Sequence, residues 1–274
     1  MMGKIQKFFK GLFMLAKQPS LLNLILKNED YLKAQFYKRY PQLQLQEIDV
    51  FSWPEATDIR IAPYAFLSGS SYATDFALLQ LICRQFHVKS YFEIGTWRGE
   101  SAAAVAPYVN EVFTLNLPDE RLRAMGQSEA YISSHRFFSS SFPNVTHLFA
   151  DSAEIDLAPY RGQMDCIFID GDHSAEAVER DTKRMLPLRK NEQSILIWHD
   201  AKSDAEYPRY EVLMGIYNAM PPALHAHIYL VKHSLCAVYL PKGHPSQPIA
   251  INALPTRAFE FQLRSIEVSD LKSL

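Results

Sequence analysis

The sequence predicts an α/β protein whose mostly parallel sheet is covered by helices on both faces. From residue 74 onward, strand-like apolar runs alternate with segments of helical pattern. The runs are almost continuously apolar, as is typical of strands buried on both sides of a parallel sheet. Several runs end in polar residues, and ligands of open α/β sheets bind beyond the carboxyl ends of the strands. The pattern therefore predicts both the fold class and the edge of the sheet where a site should lie.

The predicted elements follow one another along the chain. We expect helices at 74–85, 100–108, 118–130, 174–187 and 207–219, and strands at 90–94, 111–116, 145–150, 165–170 and 194–199. Two further strands, 227–231 and 236–240, are separated by a short polar turn, which predicts an antiparallel hairpin at a sheet edge. Beyond Pro241, only the stretch 258–263 is strand-like.

Residues 1–60 are predicted to form a helical N-terminal extension, followed by a main domain over 61–243 and a tail over 244–274. In segment 1–16, lysines alternate with apolar residues at intervals of three and four, which indicates an amphipathic helix. A basic helix of this kind either contacts an anionic membrane peripherally or, more commonly, packs against its own domain or a second subunit in a homo-oligomer. A second helical run, 21–39, is expected to begin at Ser20 as its N-cap.

Composition excludes several classes of protein. The chain of 274 residues is 48% hydrophobic with a net charge of −2, which argues against disorder and against a polyanion-binding surface, so nucleic acid is not an expected partner. The three cysteines each lie in an apolar run without a C-x-x-C pair, which suits core thiols and a reducing, cytoplasmic location. No apolar run of the sequence reaches the roughly 18 residues of a transmembrane helix.

The most informative segment is 93–99, Glu-Ile-Gly-Thr-Trp-Arg-Gly, at the end of the strand 90–94. Gly95 and Gly99 allow a tight turn and a close approach of the backbone to a ligand. A helix that opens directly afterwards presents free backbone N–H groups and its positive end. The segment therefore predicts a ligand-binding turn, with an ordinary strand–helix connection as the alternative.

Polar residues also follow the next strands. Asp151 and Ser152 end the run 145–150, Asp170, Asp172 and His173 end 165–170, and His199 and Asp200 end 194–199. Together with the glycine turn, these segments resemble class I S-adenosylmethionine (SAM)-dependent methyltransferases. The closer likeness is to the metal-dependent O-methyltransferase branch that includes catechol, caffeoyl-CoA and macrolide sugar O-methyltransferases. It covers roughly residues 66–240 and implies a Rossmann-like, seven-stranded sheet with an antiparallel last strand.

The resemblance implies a SAM site along the glycine turn. Gly95 would lie under the amino-acid moiety beside Trp97, Ser101 would hold the carboxylate, and Asp151 would accept from the adenine amino group. Asn116 occupies the position of the acid that usually binds the ribose hydroxyls, a role that Asp119 could take over. The complete set of implied cofactor contacts is Glu93, Gly95, Thr96, Trp97, Gly99, Ser101, Asn116, Asp151, Ser152, Asp170, Asp172 and Ser71, with Ser70 beside Ser71 in a lid segment.

The same resemblance implies a catalytic centre of Asp170 and His173, with Asp170, His199 and Asp200 as ligands of a divalent metal. Carboxylates suit Mg²⁺, whereas a histidine in this set favours Mn²⁺, Fe²⁺, Co²⁺ or Zn²⁺. His173 would act as general base. The structural alternatives are aspartates that bind loop amides and a His173 that merely precedes a helix. Segment 127–143, which contains Tyr131 and His135, is either an acceptor-side loop or a plain connection.

These assignments predict a SAM-dependent O-methyltransferase that acts on a hydroxyl of a small molecule. The favoured acceptor, a sugar, glycan or other vicinal diol, follows from the resemblance alone. A nicotinamide oxidoreductase is disfavoured because its G-x-G-x-x-G spacing is missing from the turn. A metal-dependent hydrolase built on the acids and histidines, and a non-catalytic SAM-binding scaffold, remain as alternatives.

Overall fold

A computed structural model of the chain describes residues 3–22, 26 and 28–267. Its centre is one mixed sheet with strands β1 (Gln46–Ile48), β2 (Ser90–Ile94), β3 (Glu111–Asn116), β4 (Val145–Phe149), β5 (Cys166–Ile169), β6 (Ile195–Trp198), β7 (Ile228–Val231), β8 (Ala237–Tyr239) and β9 (Gln247–Pro248). The strand order is β4-β3-β2-β5-β6-β8-β7-β1-β9. The four neighbouring pairs from β4 to β6 are parallel, and β8 is antiparallel to both β6 and β7. The predicted mostly parallel sheet with an antiparallel last strand is confirmed.

The predicted number of seven strands is wrong, because the described chain adds two strands to one edge. β1 pairs in parallel with β7, and β9 pairs antiparallel with β1. The hairpin of β7 and β8 is present as predicted, but these two additions cover it, so it does not form the edge of the sheet. β1 comes from the segment 1–60, and β9 comes from the tail beyond residue 243.

The described residues contain helices α1 (Lys4–Lys17), α2 (Glu29–Arg39), α3 (Ala73–Gln85), α4 (Glu100–Val105), α5 (Asp119–Ala124), α6 (Glu129–Ser134), α7 (Ala175–Met185) and α8 (Tyr210–Ala219). Short 3₁₀ turns lie at Pro19–Leu21, Val50–Ser52, Ala106–Tyr108, Ala158–Tyr160, Leu186–Leu188 and Pro222–His227. Throughout the part of the chain described, no helix combines the length and apolar character needed to cross a bilayer.

The sheet is buried on both faces because successive strand residues point to opposite sides. Tyr91 of β2 packs into the cluster that includes α3 and α4. The next residue, Phe92, packs into the other cluster, which includes α2, α7 and α8. The central strands β2, β5 and β6 therefore each contribute to two cores, which explains their apolar sequences.

Three predicted elements differ in the structure. The helix 118–130 is divided into α5 and α6, with Gly126 at a φ of 83° between them and Ser128 capping the second. Within the run 21–39, α2 begins after Asn28, whose side chain accepts from the N–H groups of residues 30 and 31, and Leu22 and Leu26 are also helical. Ser20 is not its cap and lies in a 3₁₀ turn; residues 23–25 and 27 of that run lie outside the described residues. The stretch 258–263 forms no strand.

A buried ion pair ties β1 to the region beyond β6. The Lys202 side chain is fully buried, and its Nζ lies 3.0 Å from Oε1 of Glu47 on β1. The same ammonium donates to the carbonyl of Val231 at 3.1 Å. Because β1 is a short strand, this pair and its hydrogen bond fix its position beside β7.

Replacing Lys202 by Met should lower the free energy of unfolding by about 3–5 kcal/mol, because it leaves the Glu47 carboxylate buried without its cation. Urea denaturation measures this loss. The double variant Lys202→Met/Glu47→Leu should recover most of it, since no charge is then buried. Arg123→Met removes the exposed partner of Glu129 and should change little, so an equal loss in that variant would contradict the explanation.

Candidate active site

The glycine turn lies between the end of β2 and the start of α4. Gly95 and Gly99 have φ angles of 98° and 79°, which side chains other than glycine rarely adopt. A Cβ on Gly95 would collide with the backbone carbonyl of Asp170, and one on Gly99 would collide with the side chain of Ser139. The glycines are therefore required by the packing of the turn against neighbouring chain segments. The predicted tight turn is present, and the close approach of its backbone to a ligand stays a prediction.

Glu93 and Thr96 lie beneath the turn in a buried hydrogen-bond network. Thr114 of β3 donates to the Glu93 carboxylate at 2.7 Å, and Tyr91 donates to its other oxygen at 3.1 Å. The hydroxyls of Thr96 and Thr114 are 2.6 Å apart. Since the Glu93 side chain is fully buried, both predicted cofactor contacts hold the turn in place from below.

Burial raises the pKa of Glu93 to about 7, even though the hydroxyls of Thr114, Ser101 and Tyr91 oppose that rise. Ser101 itself is buried in the first turn of α4. The acid under the turn therefore titrates near neutral pH in the protein without a bound ligand.

Trp97 begins a small aromatic wall beside the end of β3. Its ring centroid is 4.5 Å from that of Tyr131, which is 4.8 Å from that of His135. The Asn116 amide donates to the carbonyl of Leu117 and lies 3.2 Å from Nδ1 of His135. These bonds use the amide nitrogen and leave the Oδ1 of Asn116 to accept. Tyr131 and His135 thus lie beside Trp97 and Asn116, and a role in an acceptor-side loop stays a prediction.

The lid segment is fastened to the turn through two residues that the sequence reasoning did not single out. Arg98 donates to the carbonyl of Ser68 at 3.1 Å and to the hydroxyl of Ser70 at 2.7 Å. It also forms a buried ion pair with Glu100 at 3.1 Å. Ser71 contributes its carbonyl, which accepts from Tyr64. Arg98 lies within the glycine motif and Glu100 follows it directly, so an arginine two residues before an acid was the available signal.

At the next strand ends, the predicted residues separate into different local structures. Asp151 follows β4 and accepts from the N–H of Ala153 at 2.8 Å. Ser152 turns away and donates to Asp181. Asp172 accepts from the N–H of Ser174 at 2.7 Å, at the start of α7, and does not hold His173. Asp151 keeps a partly exposed carboxylate at the sheet edge, whereas Ser152 and Asp172 have mainly local structural bonds.

Asp170, His173, His199 and Asp200 meet in one cluster beyond β5 and β6. Nδ1 of His199 is 3.2 Å from a carboxylate oxygen of Asp170 and 3.2 Å from one of Asp200. Nε2 of His173 lies 3.0 Å from Asp200 and 3.8 Å from Asp170. Arg209 approaches both Asp200 and His173 from the start of α8. The sequence prediction that these strand ends converge is confirmed by the geometry.

Two carboxylates so close together dominate the electrostatics of the cluster. The neighbouring carboxylates of Asp170 and Asp200 raise the pKa of His173 to about 9. For His199, burial favours the neutral ring, but the same carboxylates outweigh it and raise the pKa well above its ordinary value. Burial alone would raise the pKa of Asp200, but the hydrogen bond of His173 and the positive charges of both histidines outweigh it and lower this pKa. Without another cation, both imidazoles therefore carry the balancing protons.

The orientation of His199 is set by an acid that the sequence reasoning missed. Asp75 of α3 is buried, and its Oδ2 lies 3.3 Å from Nε2 of His199. Its other oxygen accepts from the hydroxyl of Ser234 at 2.6 Å and the N–H of Leu235 at 2.9 Å. A single carboxylate in an otherwise apolar helix was the signal that could have identified it.

The donor set fits a divalent cation. His199 is 8% exposed, and its Nδ1 has no hydrogen-bond partner despite the two nearby carboxylates. Ligand atoms bound to one cation at ~2.1 Å are separated by about 3 Å, and Nδ1 of His199 lies 3.2 Å from an oxygen of each carboxylate. Metal-bound histidines commonly donate their other ring N–H to a carboxylate. Asp75 would do the same for His199 and so fix which of its nitrogens faces the site.

Residues 92–201 match a protein family described as a methyltransferase domain. This part of the chain is therefore similar to a methyltransferase domain. Because the match begins in β2 and ends just beyond Asp200, it spans the glycine turn and the acid–histidine cluster. The match agrees with the predicted likeness to methyltransferases, whereas membership of the metal-dependent branch stays a prediction. Among proteins with curated functions, none matches the sequence at a significant level.

Solved structures of several methyltransferases are similar to the chain. The O-methyltransferase TomG from Streptomyces achromogenes, in complex with SAM, is 16% identical over 81% of this chain and 95% of its own, with a TM-score of 0.41. The methyltransferase PaMTH1 from Podospora anserina, with bound SAH, is 16% identical over 63% and 69%, with a TM-score of 0.38. The amino pentose methyltransferase CalS10 from Micromonospora echinaspora is 15% identical over 48% and 51%, with a TM-score of 0.34. The chain thus spans about half of CalS10, and these low values transfer no residue's role to it.

The raised pKa of Glu93 predicts a pH-dependent stability of the unliganded protein. The folded state keeps a proton on this acid up to about pH 7, whereas the unfolded chain releases it near the ordinary pKa of 4.5. The contribution to stability is complete below about pH 4.5 and is lost as the pH rises to about 7, up to about 3 kcal/mol in total. Glu93→Gln should flatten this decline in urea denaturation between pH 4.5 and 8. The exposed control Glu154→Gln should retain it, and an unchanged slope in Glu93→Gln would disprove the assignment.

Proposed function

We propose that this protein is a SAM-dependent O-methyltransferase that methylates a hydroxyl of a small molecule. The observation that carries the proposal is the contact between the two halves of the site. Gly95, in the turn proposed for SAM, packs directly on the carbonyl of Asp170, in the acid–histidine cluster. A methyl donor along the turn would therefore lie beside groups that can orient a hydroxyl and accept its proton.

The residues at the turn fit a nucleoside cofactor with an amino-acid end. Oδ1 of Asn116 and the carboxylate of Asp151 are acceptors at neighbouring strand ends, suited to ribose hydroxyls and an adenine amino group. Trp97 adds an aromatic surface, and its buried Nε1 has no partner among the described residues. SAM, when bound, supplies a methyl group that its sulfonium has already activated. The chain then has to align the acceptor oxygen and remove its proton.

His173 is the proposed general base. Its Nε2 is held 3.0 Å from Asp200, and Arg209 lies 3.5 Å from its Nδ1. A base must be neutral to accept a proton, yet the two carboxylates keep this imidazole protonated at neutral pH. The role therefore requires the charges of Asp170 and Asp200 to be balanced by something other than His173.

A divalent metal would supply that balance, together with a place for the acceptor oxygens. Asp170, His199 and Asp200 would hold it, and the imidazole nitrogen favours Mn²⁺, Fe²⁺, Co²⁺ or Zn²⁺ over Mg²⁺. Two adjacent oxygens of a vicinal diol could be oriented by one such ion. We therefore favour a sugar, glycan or other vicinal diol as the acceptor. A cytoplasmic location is supported by the three free, buried cysteines.

The first experiment is calorimetric titration of S-adenosylhomocysteine into the EDTA-treated protein. We expect micromolar binding, because the turn is held by contacts of Glu93, Thr96 and Gly95 with other parts of the chain. His173→Ala should retain this binding but lower methyl transfer to catechol and sugar vicinal diols by ~10²–10⁴-fold. His244→Ala, a histidine outside the cluster, is the matched control. If the wild type binds no S-adenosylhomocysteine, the hydrolase reading of the acid–histidine cluster replaces the proposal; binding without transfer to any acceptor would favour a scaffold.

The metal proposal is tested by Mn²⁺ titration followed by electron paramagnetic resonance. Asp200→Asn removes a ligand charge and should weaken Mn²⁺ binding by at least about tenfold. Asp172→Asn changes a nearby acid whose side chain is bonded to Ser174, and it should leave the affinity unchanged. Equal Mn²⁺ affinities for wild type and Asp200→Asn would rule out the proposed site.

A further inference from the structure

The N-terminal helix α1 leaves its apolar face uncovered. None of its residues is buried. The exposed fractions of Ile5, Phe8, Phe9 and Phe13 are 73%, 63%, 64% and 59%. The packing of this helix against its own domain, which the sequence favoured, is therefore not found among the described residues. Removing several exposed aromatic side chains from water would be strongly favourable, so we expect this face of α1 to bind a partner.

The two faces of α1 are sharply divided. At ~100° per residue, the apolar side chains from Phe8 round to Phe13 and Leu15 occupy an arc of about 160°. The opposite arc carries Lys4, Lys7, Lys10 and Lys17, with Met14 among them. The helix is locally well formed: Gly3 donates to the side chain of Gln6 at its start, and the Lys17 ammonium lies 4.6 Å from the centre of the Phe13 ring at its end.

The charge of α1 distinguishes between two candidate partners, a second copy of the chain and an anionic membrane. The first acidic residue of the chain is Glu29, so α1 carries four positive charges and no negative one. In a dimer through this face, two such helices would bring like charges together without acids to pair them. An anionic bilayer, in contrast, offers negative headgroups to the lysines and an apolar interior to the rings.

We propose that α1 docks the protein onto an anionic membrane surface. The helix lies in the plane of the interface, with Phe8, Phe9 and Leu12 inserted at the boundary between headgroups and acyl chains. The lysines extend to the headgroups along both sides of the helix. Leu22 and Leu26, which are 46% and 58% exposed, offer further apolar contacts just beyond it. Docking of α1 onto a membrane does not depend on the proposed methyl transfer.

The full-length protein should co-float with vesicles of phosphatidylcholine containing 30% phosphatidylglycerol and remain free with phosphatidylcholine alone. Phe8→Ser/Phe9→Ser should reduce binding more than about tenfold, because the inserted apolar area is lost. Lys7→Glu/Lys10→Glu should reduce it more than about 25-fold, at ~5-fold for each lost lysine, and added salt should weaken wild-type binding. Because none of the described residues of α1 is buried, these variants should unfold like the wild type.

Two controls separate the helix from exposed residues in general. Phe261→Ser replaces an aromatic ring that is 65% exposed in the tail, and Lys242→Glu replaces an exposed lysine outside α1; both should bind like wild type. Equal binding to neutral and anionic vesicles, or equal loss in the controls, would overturn the proposal. So would light scattering that shows a dimer abolished by Phe8→Ser/Phe9→Ser when no vesicle binding occurs, because a second copy would then cover the face.

Discussion

The contact between Gly95 and the carbonyl of Asp170 is the constraint on which the site depends. It brings the turn after β2 against the residue that ends β5, at a distance too short for any side chain. Beneath the turn, Glu93 and Thr96 are joined to Thr114 of β3 by short hydrogen bonds. The proposed cofactor turn and the acid–histidine cluster therefore form one rigid unit, built from backbone packing and buried bonds.

The same unit extends into the helical layer through Asp75. This carboxylate is buried with His199, and it accepts from Ser234 and Leu235 at the turn between β7 and β8. A buried carboxylate without such partners would cost several kcal/mol, so the hydrogen bonds from the antiparallel hairpin stabilise Asp75 in the core. The orientation of His199, a proposed metal ligand, thus depends on Asp75 of α3. It also depends on the turn between β7 and β8, more than 30 residues beyond His199 in the sequence.

Features of the fold and site that depend on local interactions could be predicted from the sequence, and features that depend on contacts between distant residues could not. The strands around Phe92 and Ile167 were correct because apolar runs and their polar ends are local signals. β1 was missed because its three residues gain their stability from Lys202, 155 residues away in the sequence. Likewise, the glycine motif located the turn, but only the fold shows that Gly95 meets Asp170 and that Arg98 holds the lid.

Backbone strain and closely spaced carboxylates coincide at this edge of the sheet. Trp97 and Asp200 adopt φ angles of 43° and 54°, a conformation that costs free energy for residues other than glycine. Asp170 and Asp200 both contact the imidazole of His199, so two carboxylates are held within 3.2 Å of its Nδ1. Folding alone would favour relaxed backbone and separated acids. The strained backbone and the adjacent carboxylates lie together beside the turn. A cation and a cofactor bound at this edge of the sheet would offset the free-energy cost of both.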